Sequence, residues 1–245
     1  MHPFPGNRRA AVSLTYDDCL PCHRTLVAPE LTTLGLAGTF YCPAGSDDLH
    51  DHVEAWRAVA ASGHELGNHT CFHPCRRHAG AAWPEAAYDL TTYSRRRIVD
   101  EIRLAERVLR LVDGRERRSF AATCGNTTVG PDGAEESFLD DLGRSATIVR
   151  SGEAGVIPLR RPDLVVGSIT ADGAAAAGII AAIEPVLVGG GWVVILAHGV
   201  GPGTHGLFVD VDVHAKVIEW IAERSTDLWS ATVSDVAACL HALPG

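Results

Sequence analysis

The chain has 245 residues, of which 46% are hydrophobic, and a formal net charge of −9 at pH 7. This length and apolar fraction are enough to bury one sizeable core, and no stretch rich in Pro, Ser or charge offers a linker, so we predict a single domain over residues 1–245. The acidic balance, without any Lys/Arg-rich stripe, argues against a nucleic acid or an anionic membrane as a partner.

Short apolar runs typical of strands alternate along the chain with longer amphipathic segments typical of helices. We predict strands over 11–16, 39–42, 65–68, 119–122, 147–149, 164–169 and 192–197, with a further candidate over 228–231. Apolar residues at spacings of three and four predict helices over 94–112, 174–188, 213–223 and 234–240. This alternation favours a parallel (β/α) barrel, in which catalytic groups gather at the carboxyl ends of the strands.

The N-terminal residues include prolines and arginines and lack the apolar core of a signal peptide, so we expect a cytoplasmic protein. The seven cysteines are an odd number in a chain without a secretion signal, which indicates reduced thiols and not a disulfide framework. No run reaches the roughly 18 apolar residues that a transmembrane helix needs. We therefore expect a small-molecule substrate as the partner, and we leave a homo-oligomer open.

Two segments have the composition of a metal site. The first predicted strand ends in SLTYDD over 13–18, with Asp17 and Asp18 side by side, and residues 64–74 read HELGNHTCFHP, with His69 and His73 four residues apart. Neither segment alone indicates a metal site, because paired Asp residues often cap a turn and two nearby His residues often have unrelated roles. Together they supply a His/His/Asp set with an open coordination position, as in catalytic zinc sites.

These two segments, with GTFY over 38–41 and VILAHG over 194–199, resemble the polysaccharide deacetylase family, also called the NodB homology domain or carbohydrate esterase family four. The resemblance covers roughly residues 9–240 and implies an α/β fold, a distorted (β/α) barrel of about seven strands. It also implies a hydrolase that acts on non-peptide carbon–nitrogen bonds.

The resemblance implies that Asp18, His69 and His73 bind a divalent metal, with Asp17 as general base and His198 as general acid. Zinc suits two imidazoles and one carboxylate, and cobalt, nickel or iron would fit the same ligands.

Two further catalytic residues are expected, and one family residue is missing. Asp172 is the candidate that orients His198, although it could instead sit in a helix-capping turn.

FAATCGN over 120–126 stands where many members have an Arg-Pro-Pro-Tyr-Gly run, so the arginine that pairs with the base in the family is absent. The peptide N–H of Cys124 remains available as an oxyanion donor. We expect a changed substrate and not a lost activity.

The expected substrate is a small soluble N-acylated amino sugar or a related amide, because aromatic residues make up only 6% of the chain. Residues 199–206 are interpreted as a mobile active-site loop. Side chains expected near the substrate are a single stacking wall from Trp56, Trp83 or Tyr93, together with His23 and His205.

Other functions compete with this interpretation. Hydrolysis of a cyclic imide or ureide on the same scaffold is one alternative, and a non-catalytic binding relative is another. A structural zinc site within 69–78 is disfavoured, because alternating residues of an extended segment point in opposite directions. Cys71 and Cys75 are expected to be packed thiols or thiols that contact the metal ligands. The CLPCH run over 19–23 matches a haem-attachment pattern, but such attachment requires export.

Overall fold

The computed structural model describes residues 2–78, 84–143, 146–151 and 154–243. In chain order its strands are β1 (Ala10–Asp17), β2 (Gly38–Cys42), β3 (Glu65–Asn68), β4 (Arg118–Ala121), β5 (Thr128–Val129), β6 (Glu136–Ser137), β7 (Ala146–Arg150), β8 (Val165–Val166), β9 (Ile169–Thr170), β10 (Gly191–Ala197), β11 (Gly199–Val200), β12 (Phe208–Val209) and β13 (Leu228–Ser230). Nine of these form one sheet, in the order β8-β7-β4-β3-β2-β1-β10-β9, with β13 paired to the start of β1.

Helices cover the outside of this sheet. They are α1 (Ala28–Thr33), α2 (Asp47–Asp51), α3 (Val53–Ala61), α4 (Arg95–Asp113), α5 (Leu139–Leu142), α6 (Ala176–Gly189), α7 (Val211–Ala222) and α8 (Val233–His241). A short π-helix over His23–Val27 leads into α1. None of the described helices is long and apolar enough to cross a membrane.

All pairs in the main sheet are parallel, so the strands end at one common edge. The central strand β1 is buried along its whole length and pairs with β10 from Ala10↔Gly191 to Tyr16↔Ala197. Burial on both faces explains why β10 is a nearly continuous apolar run. In β1 apolar and polar residues alternate from Val12 to Asp17, and the buried hydroxyls of Ser13 and Thr15 have hydrogen-bond partners on β10. The main apolar core lies between β1, β2 and β10 and helices α1, α3, α6 and α7.

The sheet curls into an open barrel. The single strand predicted over 164–169 is instead two short strands, β8 and β9, separated by Gly167 and Ser168. β8 pairs with β7 and β9 pairs with β10, and no ladder joins β8 to β9 within the described residues. The predicted fold class, a distorted (β/α) barrel, is confirmed, with nine strands in the sheet where about seven were expected.

Candidate active site

The carboxyl ends of the parallel strands surround an open cleft of about 1040 Å³. Every catalytic or metal-binding residue predicted from the sequence lines this cleft: Asp17, Asp18, His69, His73, Cys124, Asp172 and His198. They come from distant parts of the chain and meet because parallel strands deliver their last residues to one edge.

Asp18, His69 and His73 bring three ligand atoms within 4.8 Å of one another. Nε2 of His73 lies 3.4 Å from Oδ1 of Asp18, and Nε2 of His69 lies 3.7 Å from the same oxygen. Two ligands each about 2.1 Å from a tetrahedral ion stand about 3.4 Å apart, so the spacing fits a divalent ion such as zinc. Three protein donors leave one position of such an ion for water or substrate.

His69 is held as a neutral ring. Its Nδ1 lies 2.9 Å from the carbonyl oxygen of Ala121, and donation to that carbonyl leaves the Nε2 lone pair facing Asp18. Burial lowers the pKa of His69 to about 4, so the ring is uncharged at neutral pH.

Asp17 has an arginine partner that the sequence motif did not locate. A guanidinium nitrogen of Arg150 donates a hydrogen bond to Oδ2 of Asp17, and both side chains are buried. Arg150 is the last residue of β7 and is the register partner of Ala121 on β4, in the stretch where the family arginine is missing. The neighbouring strand therefore supplies the cation.

Burial alone would raise the pKa of Asp17. The positive charge of Arg150, assisted by His69 and His198, outweighs that effect and holds the pKa below its usual range. Asp17 is therefore an ionised carboxylate at neutral pH, and its buried Oδ1 atom has no hydrogen-bond partner in the part of the chain that the structure describes.

His198 follows β10 directly, and Asp172, the residue predicted to orient it, is hydrogen-bonded to it. Oδ2 of Asp172 lies 2.6 Å from Nδ1 of His198, and Oδ1 accepts the backbone N–H of His198 at 2.9 Å. Burial lowers the pKa of His198, but the hydrogen bond to Asp172 and the charges of Asp17 and Asp18 more than compensate, so the pKa is raised overall. The imidazole is suited to hold a proton and donate it from Nε2.

Cys124 lines the cleft but is not a free thiol. It forms a disulfide with Cys75, with Cα atoms 5.8 Å apart, so the expectation of reduced cysteines and of a packed Cys75 thiol is wrong for this pair. Residues 49 apart meet because the loops after β3 and β4 leave adjacent strands. The other five cysteines are free, and four of them are buried.

The aromatic wall predicted from Trp56 or Tyr93 is wrong, because both side chains are buried away from the cleft. Trp83 lies outside the described residues. The cleft is instead bordered by Phe72 and Tyr88, whose rings stack with centroids 5.3 Å apart. Phe72 is 51% exposed, and such exposure of a large apolar side chain beside catalytic groups favours ligand contact.

The two remaining candidate histidines differ. His23 is fully buried, and its Nε2 lies 2.8 Å from the carbonyl oxygen of His198. It therefore supports the site from beneath, and the expectation that it would lie near the substrate is wrong. His205 lines the cleft, where its ring stacks on His198 at 5.2 Å and its Nε2 lies 3.7 Å from Oδ2 of Asp18.

Comparison with protein families gives one match, to the polysaccharide deacetylase model over residues 5–131. No curated protein matches the chain.

Three solved structures illustrate the similarity of fold. Peptidoglycan deacetylase PdaC from Bacillus subtilis is 15% identical with a TM-score of 0.57, over 96% of this chain and 93% of that one. A family 4 acetyl xylan esterase from Clostridium thermocellum, in complex with a cobalt ion, is 18% identical with a TM-score of 0.57, over 93% and 90%. A putative polysaccharide deacetylase from Mycobacterium smegmatis is 18% identical with a TM-score of 0.57, over 98% and 92%.

Proposed function

Because the chain belongs to the polysaccharide deacetylase family, hydrolases of non-peptide carbon–nitrogen bonds that depend on a divalent metal, we propose that it removes an acyl group, most simply acetyl, from the nitrogen of an amino sugar or a related amide. One observation carries the proposal. An ionised carboxylate, a three-donor metal site and a carboxylate-held imidazole converge at a single cleft.

The roles of the residues follow from their charges. Asp18, His69 and His73 would hold a divalent ion, which when bound would lower the pKa of water and polarise the amide carbonyl. Asp17, kept ionised by Arg150, accepts a proton from the water that attacks the carbonyl carbon.

The leaving nitrogen then needs a proton from another direction. His198, whose pKa is raised by its hydrogen bond to Asp172, donates a proton from Nε2 as the carbon–nitrogen bond breaks. Water and the amide are consumed, and a carboxylic acid and a free amine are released. The peptide N–H of Cys124, at the wall of the cleft, is our candidate donor to the developing oxyanion.

Zinc is the metal we propose. Two imidazole nitrogens and one carboxylate oxygen at tetrahedral spacing suit it, and cobalt would fit the same donors.

We further propose a small substrate of one or two sugar rings. Among the residues that the structure describes, Phe72 and Tyr88 form the one stacked pair of Phe, Tyr or Trp rings beside the cleft, and one pair offers a single stacking surface. A long polymer groove would need several such surfaces in a row.

Acetate release from N-acetylglucosamine and from its oligomers of increasing length tests both proposals. Metal-free protein should be inactive, and zinc or cobalt should restore turnover. Asp17→Asn and His198→Ala should retain the metal yet lose roughly a hundred-fold or more in kcat, as general acid–base groups typically contribute. A kcat/KM that climbs steeply with each added sugar would overturn the small-substrate proposal and leave the deacetylase proposal standing.

The same assay should include cyclic imides and ureides, because hydrolysis of another carbon–nitrogen bond is the competing activity. The complete metal donor set weighs against it. The ion pair between Arg150 and Asp17 removes the main argument for a non-catalytic relative, since the base retains a cation.

A further inference from the structure

The imidazole of His73 stands between two groups of donors. On one side its Nε2 lies 3.4 Å from Oδ1 of Asp18, and on the other its Nδ1 lies 3.6 Å from Sγ of Cys75. Cys75 is joined to Cys124, and ligand atoms of these two cysteines and His73 all lie within 4.8 Å of one another. Among the described residues this cluster and the Asp18, His69 and His73 set are the two groups that could hold a metal ion.

We propose that reduction of the Cys75–Cys124 disulfide opens a second metal site, in which both thiolates and Nδ1 of His73 bind a soft divalent ion such as Zn²⁺ or Cd²⁺. A thiol reductant supplies two electrons and two protons, leaves as its own disulfide and gives two cysteine thiols. Binding of the ion then displaces one proton from each thiol, so the bound cysteines are thiolates.

One pair of donors already has the spacing of this site, and the two sulfurs, bonded to each other in the oxidised protein, have to separate to about 3.8 Å after reduction. A sulfur about 2.3 Å and a nitrogen about 2.05 Å from a tetrahedral ion stand about 3.6 Å apart. The structure places Sγ of Cys75 and Nδ1 of His73 3.6 Å apart. Thiolate and imidazole donors also select zinc and cadmium over hard cations such as magnesium.

An ion can also reach the site. Cys124 is exposed and lines the cleft, whereas Cys75 is buried beneath it. The two thiols freed by reduction therefore have one solvent-facing entrance, through the same cleft that leads to Asp18.

The two sites share one ligand. A neutral imidazole has one unprotonated nitrogen, so His73 can serve either Asp18 and His69 or the two thiolates, but not both at once. Occupation of the thiolate site therefore withdraws His73 from the hydrolytic site. The redox state of one disulfide would thus decide where the protein holds its metal, independently of the substrate.

Cadmium titration tests the proposal without any activity assay. Full-length protein, oxidised or reduced and desalted without oxygen, is titrated with Cd²⁺ while the thiolate-to-cadmium charge-transfer absorbance is measured. The reduced protein should give a band that saturates at one Cd²⁺ per chain, and the oxidised protein should give none. No band in the reduced protein, or an equal band in the oxidised protein, would overturn the proposal, and neither result depends on a variant that must fold.

Variants identify the ligands. Cys75→Ser and Cys124→Ser should lose the band, and His73→Ala should bind Cd²⁺ at least tenfold more weakly. His69→Ala should keep the band, because His69 belongs only to the hydrolytic site. Cys71→Ser is the matched control, since Cys71 is a free cysteine of the same segment whose Sγ donates to the carbonyl of Glu101. A band that survives in Cys75→Ser would assign the thiolates to other cysteines and refute the site.

Discussion

Left-handed backbone conformations gather at the candidate active site. Of the six non-glycine residues with positive φ in the described chain, Asp18, His73 and Cys124 line the cleft, with φ of 81°, 51° and 51°. A fourth, Thr70, accepts the backbone N–H of His73 at its Oγ1. Such conformations cost about 1–3 kcal/mol each and persist where the surrounding contacts enforce them. Backbone strain is therefore concentrated around the cleft.

Arg150 acts on Asp17 through charge, and this leads to the first prediction. Arg150→Met keeps the bulk but leaves a buried carboxylate without its cation, so burial raises the pKa of Asp17 and the base is lost to protonation. We expect kcat to fall about a hundred-fold at neutral pH, with the acid limb of the kcat profile moved to higher pH. Arg150→Lys should retain part of the activity. Metal content, measured in parallel, should be unchanged, and a normal kcat in Arg150→Met would show that the ion pair has no role in turnover.

The second prediction concerns His198. Its pKa is raised because Asp172 stabilises the protonated ring, so an acid that must be protonated stays active to a pH above 6.5. Activity should fall as pH rises through this raised pKa. In Asp172→Asn the cation loses its partner, the pKa drops, and the descending limb should move to lower pH. The kcat profile of both proteins measures the shift, and coincident alkaline limbs would remove Asp172 from this role.

The close approach of strands β2 and β3 depends on a glycine, Gly67, which has no side chain. A Cβ added at Gly67 would lie 2.4 Å from the ring of Tyr41, which is fully buried. Gly67→Ala should therefore destabilise the protein by about 1–3 kcal/mol. Gly178, on an exposed turn of α6, has nothing within 4 Å of an added Cβ, so Gly178→Ala is a matched control that should be neutral or stabilise by roughly 0.5–1 kcal/mol. Urea unfolding of both variants checks the pair, and equal midpoints would contradict the crowding at Gly67.

The sequence predicted the elements whose ends are marked by local signals, such as capping residues. The helix expected over 94–112 is α4, because its apolar stripe is long, the side chain of Ser94 caps its start, and Gly114 ends it with φ of 73°. Helix α3 was not predicted, because the chain bends at His52 between α2 and α3 and leaves two apolar stretches too short to stand out. The apolar run over 164–169 was predicted as one strand because an apolar pattern does not show which neighbouring strand each half pairs with.

The same limit applies to the site. The sequence placed Asp17, His69 and His198 at strand ends, since each directly follows one of the strands predicted over 11–16, 65–68 and 192–197. It did not locate Arg150 or the Cys75–Cys124 bond, because both depend on which strands are neighbours in the sheet. A lone arginine directly after the strand expected over 147–149 was the only available signal for Arg150.

Across the whole molecule, several histidines are buried as neutral rings. Nδ1 of His23 accepts the N–H of Leu20 at 3.2 Å while its Nε2 donates to a carbonyl, so a second ring proton would displace a hydrogen bond. Burial lowers the pKa of His23 and of His214 to about 4. When a group has a lower pKa in the folded chain than in the unfolded chain, the unfolded state binds more protons between these two pKa values. The free energy of unfolding therefore decreases as the pH is lowered from the unfolded-state pKa to the folded-state pKa.

The last prediction is therefore a loss of stability below about pH 6.5 that continues to about pH 4. Burial raises the pKa of Glu106, the ion-pair partner of Arg118, so this carboxylate loses its charge over part of the same range and the histidine contribution must be isolated by substitution. His214→Gln cannot acquire a charge yet can still bond the hydroxyl of Tyr16, which lies 2.9 Å from Nε2 in the wild type. Unfolding free energies of metal-free protein at pH 7.5 and pH 4.5 should differ less in this variant than in wild type, by up to roughly 3 kcal/mol. His2→Gln, at an exposed position, should reproduce the wild-type dependence, and an unchanged slope in His214→Gln would mean that His214 does not titrate on unfolding.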